Sequence, residues 1–445
     1  MNTHITDKRC LVYTVNMQTG FTEIYKWNAW QKLLFRFFAS YFFIFIFPFP
    51  VGYIPFIHIL NKWYNAAFDV LISFTGKHLF HISFPLAATS NGSGDTVYNY
   101  VQLFLFVVLA ILATIAWCVA QRKQKSYDLL LHWILIYLRY YLALIILKYG
   151  FEKIIKTQFA FPYYSLNETY GESSPMRLLW SFMGYSTAFN VFMGMVVIIG
   201  GLLLLFRKTK TFGSLICITF LLNVVVINFC FDVPVKLFAL NLLLMAIFIV
   251  VPDIRRLIDL FFRNKAVPAI NFKPEFSNLR LNIIWSTIKF IVITYIIYAT
   301  AINVWNKYNI SGDAALKKTP LFGLYNVEKF IRNNDTLLPL VTDVSRWKKL
   351  NIIFPKHADI EMMNDSMKAY SFFTDTSNKK IELYNSNDKA HTSILSYFLP
   401  DSLHLILSGK LNDDSVYILL RKQDLSKLEL MKRDFHWINE YPYNK

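Results

Sequence analysis

Long apolar runs alternate with short basic segments through the first two thirds of the chain, and a period-two alternation replaces them near the end. A helix needs roughly 20 apolar residues to cross a bilayer. Runs of that kind lie at about Leu33–Leu60, Tyr98–Cys118, from Leu129 toward Phe159, Thr187–Phe206, Phe212–Phe231, Leu237–Val251 and Leu281–Val304. The first is broken by FPFP at Phe47–Pro50. Proline inside a helix removes a hydrogen bond and kinks it, so this run is expected to span and then bend along the interface. Asp95 or Thr96, in NGSGDT, stands where a cap for the second run belongs. Gly194 and Gly201 are seven apart on the fourth, which places them on one face and allows close helix contact.

From Trp305 the composition becomes that of a soluble domain. MKAYSFF and KIELYN flank a polar turn at Asp375–Asn378, Leu403, Leu405 and Leu407 alternate within SLHLILSGKL, and NDD precedes SVYILLRK. These patterns predict two antiparallel hairpins, with the aromatic end FHWINEYPYNK docked on the sheet. The predicted fold class is an all-α multi-pass membrane helix bundle of about seven spans, followed by a small, mainly antiparallel β (α+β) soluble domain. The expected segments are an N-terminus at 1–32, two spans with an outer segment at 33–126, a helical core at 127–264, a basic loop and last span at 265–304, and the β-rich domain at 305–445.

Composition agrees with this division. The 445 residues are 55% hydrophobic, 17% aromatic and have a mean hydropathy of +0.36, which is too apolar for an ordinary soluble chain. The net charge of +17 suggests nucleic acid at first sight. The cations, however, sit in short loops between apolar runs, so a bilayer and not nucleic acid is the expected partner. Basic segments fall at the N-terminus, 121–125, 207–210 and 252–280. With seven spans these share one side, the cytoplasm by the positive-inside rule, and the tail after Val304 lies outside. Together with a Lys-, Asn- and Ile-rich composition this places the chain in a bacterial inner membrane, with a cytoplasmic N-terminus and an extracytoplasmic C-terminal domain.

Chemistry narrows to one polar zone. Arg139 stands near the middle of the third run, where an arginine costs about 3 kcal/mol or more in lipid and therefore faces protein or water. Lys148 and Lys153 follow in its basic, aromatic rim. At about 1.5 Å per residue, Asn228, Asp232, Lys236 and Asn241 reach a comparable depth from the fifth and sixth runs. These seven residues are the candidate ligand-binding set for a pocket in the outer half of the membrane; the alternative is that Arg139 only locks helices together. No metal site is expected. His58, His78 and His81 lack acidic or cysteine partners, and Cys10, Cys118, Cys217 and Cys230 form no CxxC pair. NGSGDT has no lysine at P-loop spacing, and no HExxH, GxSxG or dinucleotide fingerprint is present.

The run KYGFEKIIKTQF (Lys148–Phe159), Arg139, the glycines at 200–201, NFCFDVPVK (Asn228–Lys236) and PDIRRL (Pro252–Leu257) resemble the DoxX family of bacterial membrane proteins over Tyr127–Asn264. The resemblance implies a four-helix core of about that extent, and for some members a link to quinone-coupled sulfur or thiol oxidation. It points to a redox-related membrane protein with a quinone-like or other amphipathic ligand in the polar pocket, Arg139 holding a carbonyl or anionic group and the aromatic loop after Phe159 serving as a lid. Without a CxxC pair, electrons or thiols would come from an exported or periplasmic protein partner. The alternative is a non-catalytic scaffold or chaperone that recruits an exported protein through the C-terminal domain. A transporter is less favoured because no inverted repeat is visible.

Overall fold

The computed structural model describes residues 27–49, 58–86, 92–267, 278–313, 316, 318–385, 388–433 and 436–442. Cys10 and most of the N-terminus, Pro50, Asn91, the centre of the basic loop (268–277) and the last three residues lie outside this set. Helices follow in the order α1 Ala29–Ile46, α2 His58–His78, α3 Val97–Ala120, α4 Asp128–Ile154, α5 Pro175–Tyr185, α6 Thr187–Leu205, α7 Lys210–Cys230, α8 Lys236–Val250, α9 Ile254–Phe261 and α10 Leu279–Ser311. Among the described residues, seven helical stretches are long and apolar enough to cross a membrane: α1, α3, α4, α6, α7, α8 continued through α9, and α10. Six of them match the expected runs, while α1 ends at Ile46, before FPFP, and so covers only the start of the Leu33–Leu60 run; together they suggest a multi-pass membrane protein. Between α1 and α3 the helix α2 carries Lys62, Asn65, Asp69, Lys77 and His78 and does not qualify.

The chain divides into two compact units. The first holds α1, α2, α3, α8 and the start of α4. Capping boxes fix the starts of two of these helices. Asn28 accepts from the Gln31 N–H at 2.8 Å and Gln31 returns the bond at 2.9 Å, while Thr96 and Asn99 repeat the exchange at the start of α3. Such caps contribute about 1 kcal/mol each. Ile72 of α2 packs against Tyr98, Val101 and Leu105 of α3, and Phe35, Ala39 and Tyr127 join α1 to the start of α4.

The second unit contains the end of α4, α5 to α7, α9, α10 and all the strands. Glycines let its helices approach closely. A Cβ on Gly194 would come within 2.8 Å of the Gly150 carbonyl oxygen, and one on Gly201 would press on Leu147 at 3.1 Å. Without a hydrophobic drive between helices in lipid, this close packing is a main source of association.

The strands are β1 Gly323–Arg332, β2 Asp335–Thr336, β3 Trp347–Ile352, β4 His357–Met362, β5 Met367–Asp375, β6 Lys380–Asn385, β7 Asp388–Phe398, β8 His404–Leu411 and β9 Asp414–Lys422. Apart from the short β2, each pairs antiparallel with the next, and β9 returns to β1, with Phe330 opposite Ile418. The result is a closed eight-stranded antiparallel barrel. The expected hairpins are present as β5–β6 and β8–β9. Asp375 closes the first turn by accepting from the Ser377 and Asn378 N–H groups. Asn412 and Asp413 take positive φ (49° and 73°) in the second, as a primed two-residue turn requires. Eight strands leave an interior that side chains can fill. Phe330, Ile352, Ile360, Ile381, Leu395, Leu405, Ile418 and Leu420 fill it.

Among the described residues of the aromatic end, Trp437, Ile438 and Tyr441 are exposed and not buried against the sheet. The aromatic loop after Phe159, expected as a lid, is packed within the second unit. Tyr163 is buried with Leu316, Leu324 and Ile353 against one end of the barrel, and its ring meets Phe322 at 5.2 Å. Two polar contacts hold it there. The Phe161 N–H donates to Asp313 at 2.8 Å, and Lys156 pairs with the same carboxylate at 3.0 Å.

Residues 315–445 expressed alone are expected to unfold cooperatively, because the barrel core draws on strands only; a soluble but non-cooperative fragment would show that the core needs the Tyr163 loop. The Asp359 carboxylate, 3.0 Å from His357, raises the His357 pKa above its ordinary value despite opposing desolvation. The protonated imidazole is thus favoured in the folded barrel. Its stabilisation is full below about pH 6.5 and fades as pH rises through the higher folded value. Thermal melts of the fragment between pH 5.5 and 8.5 should show a part of the pH dependence, no more than about 4 °C, that His357→Gln removes.

Candidate functional site

Within the first unit, α1, α3 and α8 and the segment before α3 enclose a cleft of about 510 Å³. The segment NGSGDT builds it. Asp95 turns away from its own helix and accepts from the N–H groups of Lys236 at 2.7 Å and Leu237 at 3.0 Å. It thereby serves the exposed donors and the positive end of α8, with the Lys236 ammonium 3.8 Å away. The Gly94 N–H donates to the Pro234 carbonyl at 2.7 Å. A side chain on Gly94 would make ordinary contact, at 3.6 Å, with that oxygen and with Val235, so the segment runs alongside the start of α8. Of the two cap candidates, Thr96 closes α3 and Asp95 closes α8.

The walls are aromatic and the polar groups are amides. Phe45 lies 6.1 Å from Phe106 and 6.5 Å from Phe238, centroid to centroid. Ser93, Asn99, Gln102 and Asn241 supply the polar lining. Asn99 is engaged with Thr96. Asn241 accepts from the Tyr41 hydroxyl at 2.5 Å and donates to the Leu237 carbonyl at 2.9 Å. Among the described residues, no hydrogen bond engages the side chain of Gln102. No Asp, Glu, Lys, Arg or His is among the lining residues.

Of the seven candidates, Asn241 lines the cleft and Lys236 is pinned at its edge by Asp95. Arg139, also in the first unit, is 4% exposed and engaged, but it does not line the cleft. The other four belong to the second unit. Lys148 is exposed. Lys153 is buried, donates to Gln158 Oε1 at 2.6 Å and stands over the rings of Phe159 at 4.8 Å and Phe220 at 5.9 Å. Asn228 is buried near the end of α7, where its carbonyl accepts from the Val233 N–H. Asp232 is an exposed turn residue with φ 50°.

Arg36 carries a role that the sequence pattern did not single out. It is buried on α1, donates to the Tyr127 hydroxyl at 2.7 and 3.0 Å, reaches the Gln121 carbonyl at 3.1 Å and lies 2.9 Å from Cys118 Sγ. It ties α1 to the end of α3 and the start of α4. The available signal was a single cation inside LFRFF. Among the described residues, no three His, Cys, Asp or Glu side chains converge as a metal site would need.

No family model matches the chain, and no solved structure matches it. Over 123 residues, 28% of this chain, it is similar to the uncharacterized protein YwoB of Bacillus subtilis (strain 168), with 29% identity and 79% of that protein covered.

Proposed function

We propose that this chain is a bacterial inner-membrane protein of DoxX-like type that binds an uncharged amphipathic ring compound of the quinone class in the cleft between α1, α3 and α8. The observation that carries this reading is the lining itself: three phenylalanine rings, amide side chains and no ionisable group. A charged ligand buried there would lose its hydration without a counter-ion, which costs several kcal/mol or more. A flat ring with carbonyl groups meets no such penalty. It can lie against Phe45, Phe106 and Phe238 while the Gln102 amide donates to an oxygen. The volume, about 510 Å³, fits a small-molecule site. Arg139 is assigned to helix locking, because it lies outside the lining. Redox exchange with this ligand would draw on an exported dithiol partner: Cys118, Cys217 and Cys230 are unbridged, and no CxxC pair is present in the sequence.

In this reading the N-terminus is cytoplasmic and the barrel extracytoplasmic, supported by the basic segments that recur in alternate loops. A reporter fused at Lys445 that is active only in the cytoplasm should stay silent, and a strong signal would overturn the orientation.

The ligand is tested by extracting the purified full-length protein with organic solvent and measuring quinone by mass spectrometry. Near-stoichiometric quinone is expected. Gln102→Leu should lower it roughly tenfold, about the worth of one hydrogen bond at a buried polar site, with the thermal midpoint held. Arg139→Met should keep the ligand and lower the midpoint, since truncation leaves buried partners unpaired. Quinone no higher than in control membranes, or unchanged in Gln102→Leu, would sink the reading, and a stoichiometric protein partner in its place would favour the scaffold alternative.

A further inference from the structure

A second cleft, of about 410 Å³, lies in the second unit where α7 begins and α9 runs past it. The sequence makes this corner both basic and apolar. Residues 207–210 and 253–265 hold seven Lys or Arg and two Asp, so positive charge dominates. α9, IRRLIDLF, puts Arg255 and Arg256 beside Leu257, Leu260 and Phe261. Its apolar residues are not buried by protein: Leu260, Phe261 and the following Phe262 are exposed, as is Phe212 at the start of α7.

One carboxylate, Asp253, is part of the lining, and it is already paired. Asp253 pairs with the Lys210 ammonium at 2.7 Å and accepts from the Thr211 hydroxyl at 2.5 Å, which fixes the start of α7 to the start of α9. Arg256 forms a longer ion pair with the same carboxylate, at 4.0 Å, and stays partly exposed. Lys208, exposed at the rim, has no ion-pair partner among the described residues. The lining thus combines the cations Lys208 and Arg256 with the apolar Phe212, Leu260 and Phe261.

We propose that this cleft, formed by Lys208, Thr211, Phe212, Arg256, Leu260 and Phe261, binds an anionic phospholipid, its phosphate between Lys208 and Arg256 and its acyl chains along the apolar wall. The charge selects the headgroup and the exposed rings select a lipid over a soluble anion. Basic pockets between apolar helices hold anionic headgroups in this way. An exposed aromatic and leucine wall also gains by contact with acyl chains.

The test titrates the purified full-length protein, in a neutral detergent, with phosphatidylglycerol, phosphatidylcholine or inorganic phosphate, and counts bound molecules by native mass spectrometry. One phosphatidylglycerol should be retained, roughly tenfold or more above phosphatidylcholine, and millimolar phosphate should not displace it. The pair Lys208→Gln with Arg256→Gln should lower retention roughly tenfold or more. Lys265→Gln, with the same charge change per site outside the cleft, should leave it unaltered. Leu260→Glu, on the apolar wall, supplies a second variant should the double substitution fail to fold, and it should weaken retention as well. Equal binding of the two lipids, displacement by phosphate alone, or an equal loss in Lys265→Gln would each overturn the proposal, the last by showing a diffuse field instead of a site.

Discussion

Backbone N–H and C=O groups in apolar surroundings must find partners within the chain, and this constraint shapes both halves of the molecule. In the helical part the difficulty falls at helix ends, which leave four donors unserved. Asp95 answers it for α8 with two backbone bonds, Thr96 and Asn99 for α3, and Asn28 and Gln31 for α1. In the strand part the difficulty falls at sheet edges, and the pairing of β1 with β9 removes them. The cleft between α1, α3 and α8 is a by-product of the first solution. Asp95 can reach α8 only if the glycine-bearing segment before α3 lies along the start of that helix.

Buried cations obey the same logic at higher stakes. Arg36 uses its planar fork on the Tyr127 hydroxyl and the Gln121 carbonyl, a geometry that lysine could not reproduce. Lys153 has an amide oxygen and two aromatic faces. Lys156 and Asp313 form an ion pair that also fixes the aromatic loop through the Phe161 N–H. Each buried charge sits where two or more segments meet, so it specifies which segments meet.

The spans were legible because hydropathy over some 20 residues is a strong local signal. The β5–β6 and β8–β9 hairpins were legible for the same reason: Asp375 and the Asn412–Asp413 pair announce their turns. Closure of the barrel was not. Alternation at Val416, Ile418 and Leu420 is the same in an open sheet and a closed one, and the deciding contact, β1 with β9, joins segments far apart in sequence. Asn241 could be found as a polar residue inside an apolar run. Gln102 could not, since a polar residue in the first turns of α3 reads as interfacial until α8 is seen beside it. Asp232 and Lys148 matched in depth, but depth says nothing of which way a side chain points, and both are exposed.

Joining the first strand to the last also sets the order of events when the chain folds. β1 is made soon after α10, yet it has no lasting partner on one side until β9 follows. Folding thus waits on a contact of long sequence separation, and such topologies form in milliseconds to seconds and not in microseconds. During that interval β1 and whichever strand has last been added are open templates for another chain. These two strands carry the charged residues Glu328, Lys329, Arg421 and Lys422, and charges on an edge oppose pairing with another chain. Time, and not only stability, is thus part of what the sequence of this barrel encodes.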